Sequence, residues 1–164
     1  MKKFAAHLIF PVSSPPISKG IVEVDRDGTI SRLIAPEAGL QEMAGMEFHN
    51  GIICPAFVNL FERMELPEFF SHFPELKEFE FLIPVKRSDD RDILNWMKAI
   101  QMQSSAFTLD ELIGLFTIRS ARIAGLQNER GTLDEGKQPG LLLISQMDYR
   151  NLQLSDNSRL KRLI

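Results

Sequence analysis

Apolar residues fall in short runs at both ends of the chain and at helical spacing in its middle. Phe4 to Phe10 is one such run, stopped by Pro11 and the Ser13-Ser14-Pro15-Pro16 cluster, which predicts a strand followed by a loop. Gly20 to Val24 alternates toward a second strand. Asp25-Arg26-Asp27-Gly28 then supplies turn chemistry, with Gly28 free to take positive φ. Thr29 to Ile34 returns, so Ile21–Val24 and Thr29–Leu33 form a hairpin. Pro36 to Gly45 reads as a short helix or an irregular connection. Phe48 to Pro55 predicts a strand interrupted by a turn at Asn50-Gly51. It runs into Ala56–Phe61, whose nearly continuous apolar pattern suits a strand buried on both faces.

Helical periodicity begins later. Ser88-Asp89-Asp90 can cap a helix reaching about Gln103, with Ile93, Trp96, Met97 and Ile100 as its apolar stripe. Thr108-Leu109-Asp110-Glu111 has the capping-box pattern and opens a second helix. Leu112, Ile113, Phe116, Ser120, Ile123 and Ala124 continue its buried face. Arg119 and Arg122 suit the negative end of its dipole, and Gly125 is placed to stop it. Leu141 to Ile144 reads as a buried strand. Asn151–Leu154 and Arg159–Leu163 predict two short strands joined by the Ser155–Ser158 turn. Strands at both ends must share a sheet or sandwich, because neither group alone buries enough apolar surface.

Between these lies an aromatic segment. Seven of the twelve phenylalanines fall between Phe57 and Phe81, interleaved with Glu62, Glu65, Glu68, Glu75, Glu78 and Glu80. Such a segment is either a core plug with a charged outer face or an exposed aromatic surface that pairs with a second chain. The plug is the ordinary outcome.

Composition narrows the function classes. The chain has 164 residues, 44% of them apolar and 25% charged, which is ordinary globular usage. A net charge of -3 leaves no broad basic field for nucleic acid or an anionic membrane. Lys161 and Arg162 read as a solvated strand face. The apolar stretch after Met1-Lys2-Lys3 is broken by His7 and Pro11, a poor signal peptide, and no run approaches the length of a membrane span. With Cys54 as its single cysteine, the chain can hold no internal disulfide; a reducing, cytoplasmic setting is the expectation.

Candidate chemistry is sparse. Gly131-Thr132-Leu133-Asp134-Glu135-Gly136-Lys137 has the spacing of a phosphate-binding loop, but Gln138 replaces the metal-binding hydroxyl. Asp134 and Glu135 would also repel phosphate, and a strand follows where a helix is required. Cys54, between apolar neighbours and Pro55, reads as a buried inert thiol. His7, His49 and His72 share no metal-ligand spacing. Glu62 with Glu65, and Asp89 with Asp92, can each share a helix face, which without a pocket is solvated surface.

Several segments together resemble the metal-dependent amidohydrolase superfamily, in its cytosine deaminase, chlorohydrolase and aminodeoxyfutalosine deaminase-like branch. There an N-terminal hairpin leads to a motif close to G-x-(apolar)2-P-G-F-(V/I)-(N/D)-x-H-x-H. Here Gly51-Ile52-Ile53-Cys54-Pro55-Ala56-Phe57-Val58-Asn59 follows it, except that Ala56 replaces the turn glycine. Phe61 and Arg63 then stand at the two histidine positions. A helix like that from Thr108 to Ala124 and the run Gly131 to Leu141 resemble the family's C-terminal signature, with Pro139-Gly140 in place of Ala-Asp. The tail from Tyr149 to Ile164 resembles its closing strands.

The resemblance covers roughly residues 1–66 and 107–164. The intervening segment, 67–106, is about 40 residues long, whereas a (β/α)8 barrel needs about 200 or more. The resemblance implies one α+β domain over residues 1–164: a composite β-sandwich made from both termini, two or three helices, and no complete barrel. Family chemistry uses a divalent ion held by two histidines two apart on a strand end. Phenylalanine offers no lone pair, and arginine repels the cation. The expectation is therefore no catalytic, cofactor-binding or metal site of the family's kind, and a structural or regulatory binding module. Expected partners are a second copy of the chain, or a full-length amidohydrolase relative. The alternative is a residual or repurposed hydrolase of non-peptide C–N bonds using carboxylates such as Glu62, Glu65 or Asp110.

Overall fold

In a computed structural model, residues 1–39 and 41–164 are described. Seven strands form one mixed sheet in the order β4-β3-β1-β5-β6-β7, with β2 pairing onto β1. They are β1 (Lys2–Ile9), β2 (Ile17–Ser18), β3 (Ile21–Val24), β4 (Ile30–Ile34), β5 (Met46–Pro55), β6 (Leu141–Ser145) and β7 (Arg159–Arg162). All neighbours are antiparallel except β1 and β5, which run parallel. The expected hairpin is β3–β4: Gly28 takes φ 90° and its N–H donates to Asp25 O at 3.1 Å.

The two chain ends meet as expected, since β6 and β7 extend the sheet begun by β1, β3, β4 and β5. The sheet is continuous rather than two separate facing sheets, and it encloses a small core on one side. Phe4, Ala6, Val22, Val24, Ile30, Ile53, Leu141 and Leu143 share that cluster, so both wings of the sheet contribute to it. Backbone bonds between Ile30 and the 136–137 turn draw β4 toward the segment leading into β6. Strand alternation sends the neighbouring residues Ile52, Cys54, Leu142 and Ile144 to the opposite face.

Helices cover that second face. They are α1 (Leu66–His72), a 3₁₀ segment (Pro74–Leu82), α2 (Asp90–Gln103), α3 (Leu109–Gly114), a π-helical turn (Leu115–Arg119) and α4 (Ser120–Ala124). Asp89 and Asp92 make a full capping box on α2. On α3 the Thr108 hydroxyl accepts from Glu111 N–H at 3.2 Å. Gly125 ends α4 in the left-handed region at φ 74°. The helix expected as one piece carries the π turn because hydroxyls bond back onto its carbonyls: Thr117 Oγ1 to Ile113 O at 2.6 Å, and Ser120 Oγ to Leu115 O at 2.7 Å. Ser120 N–H turns to Thr117 O, and the Phe116 carbonyl accepts instead from Val58 N–H at 2.8 Å.

Three local expectations are corrected. Asn50-Gly51 is not a turn; β5 runs through it, with an extra residue bulged against β1 between the pairs Ala6–His49 and Leu8–Ile52. Glycine is required there by close approach, since a Cβ at Gly51 would lie 2.5 Å from Ile144 O. Ala56–Phe61 is buried but leaves the sheet, its backbone bonds going to Gly140 O and Phe116 O before a short 3₁₀ turn at Leu60–Glu62. Asn151–Leu154 is not a strand: the Asp148 carboxylate accepts from Arg150 and Asn151 N–H and folds the chain into a turn, leaving one bridge, Asp148–Gln153. Pro36–Gly45 takes the irregular alternative, with turns at 37–38 and 44–45; Leu40 lies outside the described residues.

Candidate functional site

The resemblance places family chemistry just beyond β5, where the chain leaves the sheet. Asn59 shapes this exit: its Oδ1 accepts from Phe61 N–H at 2.9 Å and its Nδ2 donates to Arg87 O at 2.8 Å. The Phe61 ring turns into the aromatic cluster, 4.4 Å from the Phe69 ring centroid and 6.0 Å from Trp96. The Arg87 guanidinium lies 5.8 Å above the same ring, at cation–π distance. Arg63 points to solvent. The two residues that the resemblance sets at the histidine positions are therefore spent differently, one on packing and one on the surface.

Behind Phe61 the aromatic segment forms a continuous plug. Phe69, Phe70, Phe73 and Phe79 are buried with Trp96 and Phe116, and rings contact one another at centroid distances of 4.7 to 6.5 Å. The Trp96 indole N–H donates to Phe79 O at 3.1 Å, so its one polar atom is satisfied inside the core. Arg119 ties the plug's edge by pairing with Glu75, donating to His72 O at 2.6 Å and stacking 4.7 Å over Phe73. The core-plug expectation thus describes most of the segment. Phe81, 72% exposed, and Val85, 96% exposed, remain outside it.

The other sequence candidates do not converge. Cys54 is fully buried, and burial pushes its thiol pKa far up, which keeps it protonated. His7 and His72 are exposed. His49 stacks near Phe4, its Nε2 3.5 Å from Glu47. Glu62, Glu65 and Asp110 are exposed, while Asp89 and Asp92 are occupied with capping. Among the described residues, no three His, Cys, Asp or Glu side chains are grouped to hold a metal ion. Gly131–Lys137 is a turn that enters β6, with Leu133 buried and its N–H on Pro11 O at 3.0 Å.

Concave surface lies elsewhere. A cleft of about 550 Å³ beside the β3–β4 turn is lined by Lys2, Asp25, Arg26, Asp27, Gln138 and Arg162, among others. A groove of about 330 Å³ runs between α2 and β7 and is lined by Arg91, Leu94, Asn95, Lys98 and Ser158–Leu160. A smaller hollow of about 230 Å³ adjoins it, where Asp90 pairs with Arg162 at 3.2 Å. Burial raises the Asp90 carboxyl, with Arg162 opposing the rise. Sequence reasoning missed the α2–β7 groove. Its helix side is readable as polar residues at i, i+4 and i+7, but the strand that completes it is about 60 residues away.

No protein-family model and no curated protein matches the chain. Among solved structures, the crystal structure of an amidohydrolase from Thermotoga maritima MSB8 is similar at a TM-score of 0.51 and 10% identity. The alignment covers 99% of this chain and 98% of that one. At such identity the likeness is one of fold alone: among the described residues, a mixed α+β arrangement around an open seven-stranded sheet, with no barrel.

Proposed function

We propose that the chain is a non-catalytic, amidohydrolase-like binding module that associates with a second copy of itself or with a larger relative in the cytoplasm. The observation that carries this reading is the position of Phe61: at the first of the two expected ligand positions, its ring is committed to Phe69 and Trp96. A metal there would need both a new donor and a vacated packing site. Exposed Phe81 and Val85 support the association, being large apolar side chains left uncovered beside the plug. The residual-hydrolase alternative needs a concave site with a perturbed carboxylate; Asp90, raised by burial in the smallest hollow, is engaged by Arg162 at 3.2 Å, and none of the clefts above is lined by Glu62, Glu65 or Asp110.

One preparation tests both halves. Metal analysis is expected to find zinc and iron far below one equivalent, and sedimentation at low micromolar concentration to find a dimer or larger species. Stoichiometric metal together with metal-dependent cleavage of a C–N substrate would overturn the non-catalytic reading. A purely monomeric solution would overturn self-association.

A further inference from the structure

We propose that the groove between the outer face of α2 and strand β7 binds a small phosphorylated molecule, held by Arg91, Asn95, Lys98 and Arg159. This inference does not rest on the non-catalytic reading: the groove uses the side of α2 opposite the stripe that packs Trp96 into the plug.

Arg91, Asn95 and Lys98 lie at i, i+4 and i+7, so they share one helix face. Arg159 comes from a different element, β7, and faces the same groove. The chain carries 22 acidic and 19 basic residues, so carboxylates are plentiful. Lys3, Lys77, Arg119, Lys137 and Arg162 each have one within 4 Å. Among the described residues, Arg91, Lys98 and Arg159 make no ion pair, as is true of most of the chain's 19 basic residues; what sets these three apart is that they converge on one groove, Arg91 and Arg159 from its exposed rim. No carboxylate lines the groove; Asp156 acts on Lys98 from outside the lining.

A solvated charged face would spread its cations outward and leave each fully hydrated. Here Lys98 is partly buried: that burial depresses its pKa, the Asp156 carboxylate opposes the fall, and the nearby Arg159 charge adds to it. An anion in the groove relieves both penalties. A carboxylate monoanion would offset one of three positive charges, whereas a phosphate monoester dianion offsets two and accepts bidentate bonds from guanidinium forks. The volume of about 330 Å³ is at the small end for ligand pockets, and Leu94 and Leu160 give the carbon part of an ester an apolar wall. A nucleic-acid polymer does not fit the same facts, because the chain's net charge is -3 and the basic patch is local.

The test is an ¹⁵N-resolved NMR titration of the full chain with inorganic phosphate and, separately, glycerol 3-phosphate, with acetate at matched ionic strength as the control. Saturable shifts are expected along the outer face of α2 and at Ser158–Leu160, with tighter binding of the ester and none of acetate. Lys98→Gln and Arg159→Gln should each weaken binding by about tenfold, while Arg26→Gln in the separate cleft leaves it unchanged. Matching far-UV spectra would show that the variants fold. No saturable shift, or shifts indifferent to both Lys98→Gln and Arg159→Gln, would overturn the site. Free phosphate bound as tightly as the ester would overturn the phosphorylated-molecule assignment.

Discussion

The two faces of the sheet are filled by different chemistry. One carries a small core of Phe4 and aliphatic residues from both wings of the sheet. The other carries a larger core in which Phe69, Phe73, Trp96 and Phe116 are in ring contact beneath the helices. The first core is a consequence of strand alternation: once β1, β5 and β6 are in register, Phe4, Ile53 and Leu143 have nowhere else to point. The second follows from volume. A helical layer with little regular periodicity before Asp90 covers its sheet face by bringing large rings, and Trp96 sits where they meet.

Breaking the aromatic core at its centre is the most damaging change expected. Trp96 is fully buried and holds a hydrogen bond to Phe79 O. Trp96→Ala should cost about 3–5 kcal/mol, from lost burial and the cavity left behind. Trp96→Phe retains most of the ring volume, leaves the Phe79 carbonyl without its donor, and should cost about 1–3 kcal/mol. Urea denaturation followed by circular dichroism reads both, since Trp96 is the only tryptophan. If the two variants lost the same stability, ring volume would not be what organises this face.

The contrast also decides what was legible in the sequence. The β3–β4 hairpin, the capped helix after Asp89 and the strand at Leu141 were readable because each is set by local chemistry: Gly28 in a turn, an Asp89–Asp92 capping box, a run of aliphatics. Asn50-Gly51 misled because its turn preference is local, while the demand on Gly51 comes from Ile144 on another strand. Ala56–Phe61 misled because burial is not pairing; its apolar run is explained by the plug and the π turn rather than by a neighbouring strand. Of the candidate sites, the resemblance singled out Phe61 and Arg63 as the expected ligand positions, and the structure places one in the aromatic plug and the other on the surface. The α2–β7 groove was not readable, because Arg159 joins Arg91 and Lys98 only after the chain returns.

On the sheet side, the sharpest probe is Gly51→Ala. In an ordinary strand that exchange is favourable, since glycine sacrifices more backbone entropy on folding. Here the added methyl meets Ile144 O at 2.5 Å and the Leu143 side chain at 2.7 Å. Backbone cannot yield as a side-chain tip can, so the expected sign reverses to a loss of about 1–3 kcal/mol. A melting temperature equal to or above that of the parent chain would mean that β5 and β6 are not held this closely.

The smallest expected effect concerns how the chain's two ends are joined outside the cores. Asp134, in the turn before β6, accepts from Ser13 Oγ at 2.5 Å and from Thr132 Oγ1 at 2.7 Å, with Lys137 Nζ at 3.6 Å. Burial alone would raise its carboxyl pKa; the two hydroxyl donors and the Lys137 charge outweigh that and lower it. A carboxyl lowered on folding stabilises the protein at neutral pH, and that contribution fades as pH falls through the folded value, where both states become protonated. Asp90 has the opposite sign: raised by burial, it costs stability as pH rises past its unfolded value. Asp134→Asn should therefore lose about 0.5–1 kcal/mol at pH 7, modest because the side chain is 47% exposed. The deficit should shrink toward zero as pH drops below the ordinary carboxylate range of about 4. Thermal unfolding of parent and variant across that window measures the difference directly. A deficit that persisted undiminished at low pH would assign it to lost hydrogen-bond geometry rather than to the charge linking the N-terminal loop to the turn before β6.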